Sequence, residues 1–177
     1  NSPSCSGALD GSCLATISGN SGTVSYSWST GGTTNTISNL GAGAGTLTVT
    51  DQAGCIATQA YLLTDPLPLQ VLVSTTANSC FGIADAQAQV SISDGQAPYV
   101  VTWPDGSNLT SRSDLDASVY QVNVSDASGC SAQTTVQIVG PVELLANFTT
   151  TDASCGAASG TASILVTGGT LPYFYLW

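Results

Sequence analysis

The sequence predicts an all-β fold of tandem antiparallel β-sandwich repeats, each about 75 residues long, on three observations. A long phrase occurs twice: Ser38–Cys55 (SNLGAGAGTLTVTDQAGC) and Ser113–Cys130 (SDLDASVYQVNVSDASGC). Leu40 matches Leu115, Leu47 and Val49 match Val122 and Val124, and Asp51, Gly54 and Cys55 match Asp126, Gly129 and Cys130, always at an offset of 75. Apolar residues alternate with polar ones in short runs, the mark of half-buried strands, and no segment carries a 3.6-residue period. Gly, Asp and Pro turns separate the runs, as in antiparallel sandwiches.

The repeat 66–140 is complete and sets the element order. Leu69, Val71 and Val73 form the apolar side of a first strand behind Pro66 and Pro68. Ala86, Ala88, Val90 and Ile92 alternate with Gln87, Gln89, Ser91 and Ser93 in a second. The turn Asp94-Gly-Gln-Ala-Pro98 feeds a third strand, Tyr99 to Trp103, and Pro104-Asp-Gly106 leads to a weak strand through Leu109. Ser113–Cys130 then reads as a bend, a strand with Tyr120, Val122 and Val124 on one face, and a polar turn delivering Cys130. Gln133 to Val139 is the last strand. Leu115 followed by Tyr120 resembles the tyrosine corner of immunoglobulin/fibronectin-like sandwiches. Gly45 stands at the tyrosine position in the first copy, so that corner is expected to be built differently or more loosely.

The same register divides the chain into repeat one (1–65, lacking its first strand), repeat two (66–140) and repeat three (141–177, ending after its third strand). A window from a longer tandem array is the expected context, because strand edges left open at both ends are prone to aggregation.

Cysteines repeat with the fold. Cys5, Cys80 and Cys155 are spaced by 75, as are Cys55 and Cys130, and the two types lie 50 apart within a repeat. The simplest pairing is Cys5–Cys55 and Cys80–Cys130, one staple per repeat, each stabilising by roughly 4 kcal/mol in the chain-entropy treatment. Cys155 is then expected to have no partner in this chain. Cys13 occupies the position of Ala88 on the apolar side of a strand. It reads as a small buried thiol, with a local bridge to Cys5 or an intermolecular bond as alternatives.

Composition narrows the function. Charged residues are 7% and hydrophobic residues 42%, which is not a disordered composition. One basic side chain, Arg112, and a net charge of −10 exclude a nucleic-acid surface. They also disfavour an acidic membrane surface, and no apolar run reaches the roughly 20 residues of a spanning helix. Without His or Lys there is no catalytic triad, Schiff-base lysine or histidine metal cage. Ten of the eleven acids are Asp in turns and no carboxylate pair suggests hydrolysis, so no enzyme activity and no cofactor are expected. Six cysteines without a C-x-x-C spacing suggest disulfides and an oxidising, extracellular compartment.

The order Cys, strand, Gly168-Gly-Thr-Leu-Pro172-Tyr173-Phe-Tyr175-Leu-Trp177, Gly-rich turn, Asn/Asp-Leu, strand, Asp-x-x-Gly-Cys, strand, Pro resembles the SprB repeat of giant surface adhesins of gliding and related Bacteroidota. Repeat one departs from it, with Thr23-Val24 in place of Pro-Tyr and no late-strand tyrosine. The resemblance implies type IX secretion, a very long chain at the cell surface, and a part in attachment or gliding motility.

Three sets of residues invite a site. Tyr99 and Tyr173 are candidates for stacking on a polysaccharide, whereas Trp28, Trp103 and Trp177 recur with the fold and read as core. Asp105, Asp114, Asp116 and Asp126 resemble a calcium set, but no Asp-x-Asp-x-Asp-Gly loop exists and each sits where turn bonding accounts for it. Asn108, Asn123 and Asn147 open N-glycosylation sequons, which read as coincidence in a chain so rich in Ser and Thr. The expected function is therefore a non-catalytic segment of a long extracellular adhesin or filament. Its expected partners are neighbouring repeats, identical chains in a bundle (low charge leaves few ions to desolvate on packing), and a polysaccharide or cell surface.

Overall fold

Thirteen β-strands, and no helix, make up the described residues 1–19 and 22–177 of the computed structural model. Repeat one supplies β1 (Gly11–Leu14), β2 (Val24–Trp28), β3 (Thr36–Leu40), β4 (Gly43–Asp51) and β5 (Ile56–Leu63). Repeat two supplies β6 (Gln70–Thr75), β7 (Ala86–Ser93), β8 (Val100–Thr102), β9 (Ser111–Leu115), β10 (Val119–Ser125) and β11 (Ser131–Gln137). The hairpin β12 (Leu145–Thr151) and β13 (Thr161–Thr167) belongs to repeat three.

Strand order repeats along with sequence. Repeat one builds sheets β1-β3 and β2-β4-β5, and repeat two builds β6-β7-β9 and β8-β10-β11. The copy extends to register. Gly11 faces Leu40 and Cys13 faces Ile37 across a bulge, and 75 residues on, Ala86 faces Leu115 and Ala88 faces Arg112 across the same bulge. These are immunoglobulin-like antiparallel sandwiches whose inward positions alternate as the sequence indicates, with β7 buried at Ala86, Ala88 and Val90.

The chain divides into two compact units. The first joins Asn1–Gln70 with Ile92–Val100 and Val124–Ala132; the second joins Val71–Ser91, Val101–Asn123 and Gln133–Trp177. In the first, Trp28, Ile37, Leu47 and Val49 form a core with Cys13, Ala15, Leu40 and Tyr61 packed against it. In the second, Trp103, Leu115 and Val122 are almost wholly buried.

Several expectations change. The strand expected through Leu109 is instead β9, beginning at Ser111, because the Trp103 indole N–H takes the Leu109 carbonyl at 2.8 Å. Ser113 to Leu115 are the end of that strand, and the bend falls after them. The strand that carries Cys13 stops at Leu14. Its counterpart β7 runs on to Ser93 with β6 as a neighbour. In repeat one a single backbone exchange between Asn1 and Ser12 stands in that place. Trp28 and Trp103 are core residues, but Trp177 is 78% exposed, since repeat three contributes only the β12–β13 face beside it.

The two corners use different residues. In repeat two, the Tyr120 hydroxyl accepts from the Asp116 N–H at 3.0 Å and donates to the Asp116 carbonyl at 3.3 Å. Its ring meets Trp103 edge to face at 6.1 Å. In repeat one, Gly45 pairs with Tyr61 across β4–β5, and a Cβ on Gly45 would run into the Tyr61 ring. Tyr61 meets Trp28 edge to face at 5.7 Å. The aromatic has thus moved to the neighbouring strand, where repeat two carries Val136. Gly45→Tyr alone should overpack the site and Tyr61→Val alone should leave a gap, each costing about 2 kcal/mol. The double variant should recover more than 1 kcal/mol of that sum in chemical denaturation; strictly additive losses would refute the exchange.

Candidate functional site

The sharpest local structure in the chain is a pair of loop types that carry the cysteines. In the first type, Ser4 donates its backbone N–H to Asp10 Oδ1 at 2.9 Å and its hydroxyl to Oδ2. The turn closes with Ala8 N–H on the Cys5 carbonyl at 3.0 Å, around Gly7 at φ 74°. In the second type, Asp126 Oδ1 accepts from the N–H groups of Ser128 and Cys130, both at 2.9 Å, and Oδ2 accepts from Gln96 N–H at 2.9 Å. Gly129, at φ 84°, supplies the left-handed step that turns the chain toward Cys130. A left-handed pair, Asp94 and Gly95 at φ 60° and 67°, brings Gln96 to this carboxylate. A Cβ on Gly95 would stand 2.8 Å from both Asp126 Oδ2 and Leu69.

Cys5 and Cys130 are joined by a disulfide with Cα atoms 5.5 Å apart, a normal span. Cys130 Sγ lies 3.3 Å from the Ser4 carbonyl oxygen. The pairings Cys5–Cys55 and Cys80–Cys130 are therefore overturned, and so is a Cys5–Cys13 bridge. The first-type cysteine does bond to the second type, but one repeat further on, because the loop facing Cys5 belongs to repeat two. A spacing of 50 and one of 125 are the same pair of positions in a 75-residue period, so sequence alone cannot choose between them. Cys55, Cys80 and Cys155 are exposed thiols, and Cys13 is a half-buried thiol on the edge of the Trp28 core.

The other candidate residues are taken up locally. The Tyr99 hydroxyl donates to the Asp94 carbonyl at 2.8 Å, and the Tyr173 hydroxyl to the Gly168 carbonyl at the matching position. Both tyrosines brace the turn five residues upstream of them. The four aspartates that resemble a calcium set, and that read as turn residues, are not brought together. Asp114 takes the Arg112 guanidinium at 2.8 and 2.7 Å, Asp105 takes it at 2.6 Å, Asp116 is occupied through its backbone by Tyr120, and Asp126 holds the cysteine loop. Among the described residues no group of three His, Cys, Asp or Glu is placed to hold a metal.

Arg112 is the residue that sequence reading undervalued. It stands where repeat one has Ile37, with its guanidinium carbon 5.3 Å from the Trp103 ring centre and its side chain only 9% exposed. Its stem fills an apolar position while Asp105 and Asp114 balance its charge. The available signal was Asp114 two residues on, hence on the same side of the strand.

Hydrogen bonding governs the carboxylates. Gln96, Cys130 and Ser128 N–H groups hold Asp126 below its usual range, against partial desolvation. Ser4 does the same for Asp10 and Ser79 for Asp85. The Ser107 N–H, then Arg112, lowers Asp105, and Arg112 lowers Asp114. A carboxylate depressed on folding contributes stability above its unfolded pKa of about 4 and loses it as pH falls through the folded value. The thermal midpoint should thus be level between about pH 7 and pH 5 and fall steeply below about pH 4. Asp126→Asn should lower the neutral midpoint and flatten that fall; an unchanged acid limb would count against the Asp126 clamp.

Comparison with known proteins follows the periodic structure. The SprB repeat, as a family profile, matches residues 1–33, 72–108 and 147–177, together more than half of the chain. No curated protein sequence matches. Among solved structures, the amphioxus IgVJ-C2 molecule matches at 14% identity with a TM-score of 0.32, over 78% of this chain and 98% of its own.

Proposed function

We propose, since this chain belongs to the SprB-repeat family, that it is a load-bearing connecting segment of a long surface adhesin. In this reading it carries tension between the cell and a distal contact and does no chemistry. The observation that supports it best is the Cys5–Cys130 bond, which ties repeat one to repeat two in addition to the peptide chain. A force applied along the chain meets a covalent cross-link spanning 125 residues. Single-cation composition adds to the reading: trypsin-like proteases find one cleavage residue, Arg112, and it is held by two carboxylates. Export to the cell surface, attachment and a part in gliding follow from the family as parts of the same proposal, as does lateral packing with identical chains.

Single-molecule stretching tests the load-bearing role. The oxidised chain should release less contour length than the reduced chain, by the residues enclosed between Cys5 and Cys130. Equal contour lengths in the two states would overturn it. A glycan array separates this reading from a polysaccharide-binding module. A connecting segment gives no saturable binding, whereas a module gives binding that Tyr99→Ala abolishes. Because the Tyr99 hydroxyl is engaged by Asp94, we expect no binding.

A further inference from the structure

The two cysteine loop types recur where no bond is made, and they recur in the same geometry. Around Cys80, Ser79 donates its N–H to Asp85 Oδ1 at 2.9 Å and its hydroxyl to Oδ2. The turn closes with Ile83 N–H on the Cys80 carbonyl around Gly82 at φ 73°. The Cys5 loop makes the same serine–aspartate and turn-closing contacts. Around Cys55, the Cys55 N–H reaches Asp51 Oδ1 at 2.9 Å, Asp51 N–H reaches the Cys55 carbonyl at 3.0 Å, and Gly54 has φ 85°. The Cys130 loop has these same three features. Each thiol is exposed.

We propose that these thiols are open rungs of a disulfide ladder, in which the first-type cysteine of every repeat bonds to the second-type cysteine of the repeat that follows. Cys80 is then a receiving site for the Asp-x-x-Gly-Cys loop of a repeat after residue 177. Cys55 is the complementary donor to the first-type loop of a repeat before residue 1. Every interior repeat would be bonded once backward and once forward.

The surface at Cys80 supports this independently of the thiol. The Cys130 loop lies in a cleft with Ser4, Pro66 and Leu67, and the residues one period on are Ser79, Pro141 and Val142. Beside them is a second cleft, lined by Cys80, Phe81, Gly82, Asp116 and Pro141, with Asn78 in its wall. Asn78 is only 6% exposed, and its amide donates to the Ile83 and Leu115 carbonyls at 2.7 Å. Its Oδ1 has no hydrogen-bond partner among the described residues. A buried acceptor left open calls for a donor from outside, and a loop dense in backbone N–H groups suits it. At the same position repeat one has Pro3.

The bond forms by thiol–disulfide exchange with an exogenous disulfide, as expected of an oxidising exterior. One cysteine of the pair attacks that disulfide and releases one thiol. The second cysteine then attacks the mixed disulfide and releases the other. The two cysteines lose two protons and two electrons, and the exogenous disulfide is reduced to two thiols.

Completing the third repeat tests the ladder. Residues 104–140 appended after Trp177 continue it from the aligned Trp103 and place a copy of Cys130 27 residues beyond Trp177. After refolding with oxidised and reduced glutathione, alkylation and peptide mapping without reduction should find two bridges. One is Cys5–Cys130, and the other joins Cys80 to the appended cysteine, leaving Cys13, Cys55 and Cys155 alkylated. In Cys80→Ser the appended cysteine should become alkylatable rather than move to Cys155. The Cys5–Cys130 bridge in the same molecule reports that the chain has folded. With that bridge present, an appended cysteine joined to Cys155, or left free beside a free Cys80, overturns the proposal.

Discussion

Cys5→Ser and Cys130→Ser should each lower stability by about 5 kcal/mol, and the double variant by no more than either alone. The magnitude comes from the closed loop: a separation of 125 residues removes more conformational freedom from the unfolded chain than a separation of 50 would. Against a typical total of about 5–15 kcal/mol it is a large share. Non-additivity is the decisive part, because two cysteines in one bond are lost together. Cys55→Ser and Cys80→Ser should be silent in the same assay, as both are exposed thiols. Pairing within repeats gives the opposite pattern, with Cys5 coupled to Cys55 and Cys80 coupled to Cys130. Urea unfolding of the five variants, read with and without reductant, distinguishes the two. With reductant present, all five should converge on the reduced parent.

That contrast marks how far the sequence could be read. Period two, turn residues and the 75-residue offset are local properties, and they placed β7, β10 and β11 within a few residues. Packing between elements was legible where it recurs. Trp28 and Trp103 bond to carbonyls 75 residues apart, Thr34 and Leu109, and both are core. What failed to show were choices among residues that the period makes equivalent. A cysteine cannot signal which copy of its partner loop it faces, since each copy offers the same Asp, Gly and Cys at the same spacing. The Gly45–Tyr61 exchange was hidden for a related reason. Each position looks anomalous alone, and only the register opposing them across β4 and β5 makes them complementary. Among the candidate site residues, the turn bonding of Asp105 and Asp126 was legible, but the carbonyls taken by Tyr99 and Tyr173 were not, because a turn carbonyl leaves no trace in side-chain identity.

Trp103→Ala should lower stability by about 3–5 kcal/mol, a thermal shift on the order of 10 °C for a chain of this size. The ring is 2% exposed, its N–H satisfies the Leu109 carbonyl, Tyr120 meets its edge, and Arg112 covers its face. Removing it leaves a cavity beside a cation, which resists collapse because a guanidinium is costly to move into an apolar space. Trp28→Ala should cost less, since Ile37 occupies the corresponding place and can relax into the gap. Arg112 itself separates packing from charge. If its stem is what matters, Arg112→Met should stay within about 1 kcal/mol of the parent, because surface ion pairs of exposed aspartates are worth little. Arg112→Ala should cost more than Arg112→Met by the packing it loses against Trp103. Equal losses for the two would instead assign the contribution to the ion pairs with Asp105 and Asp114, and raising the salt concentration should then remove it.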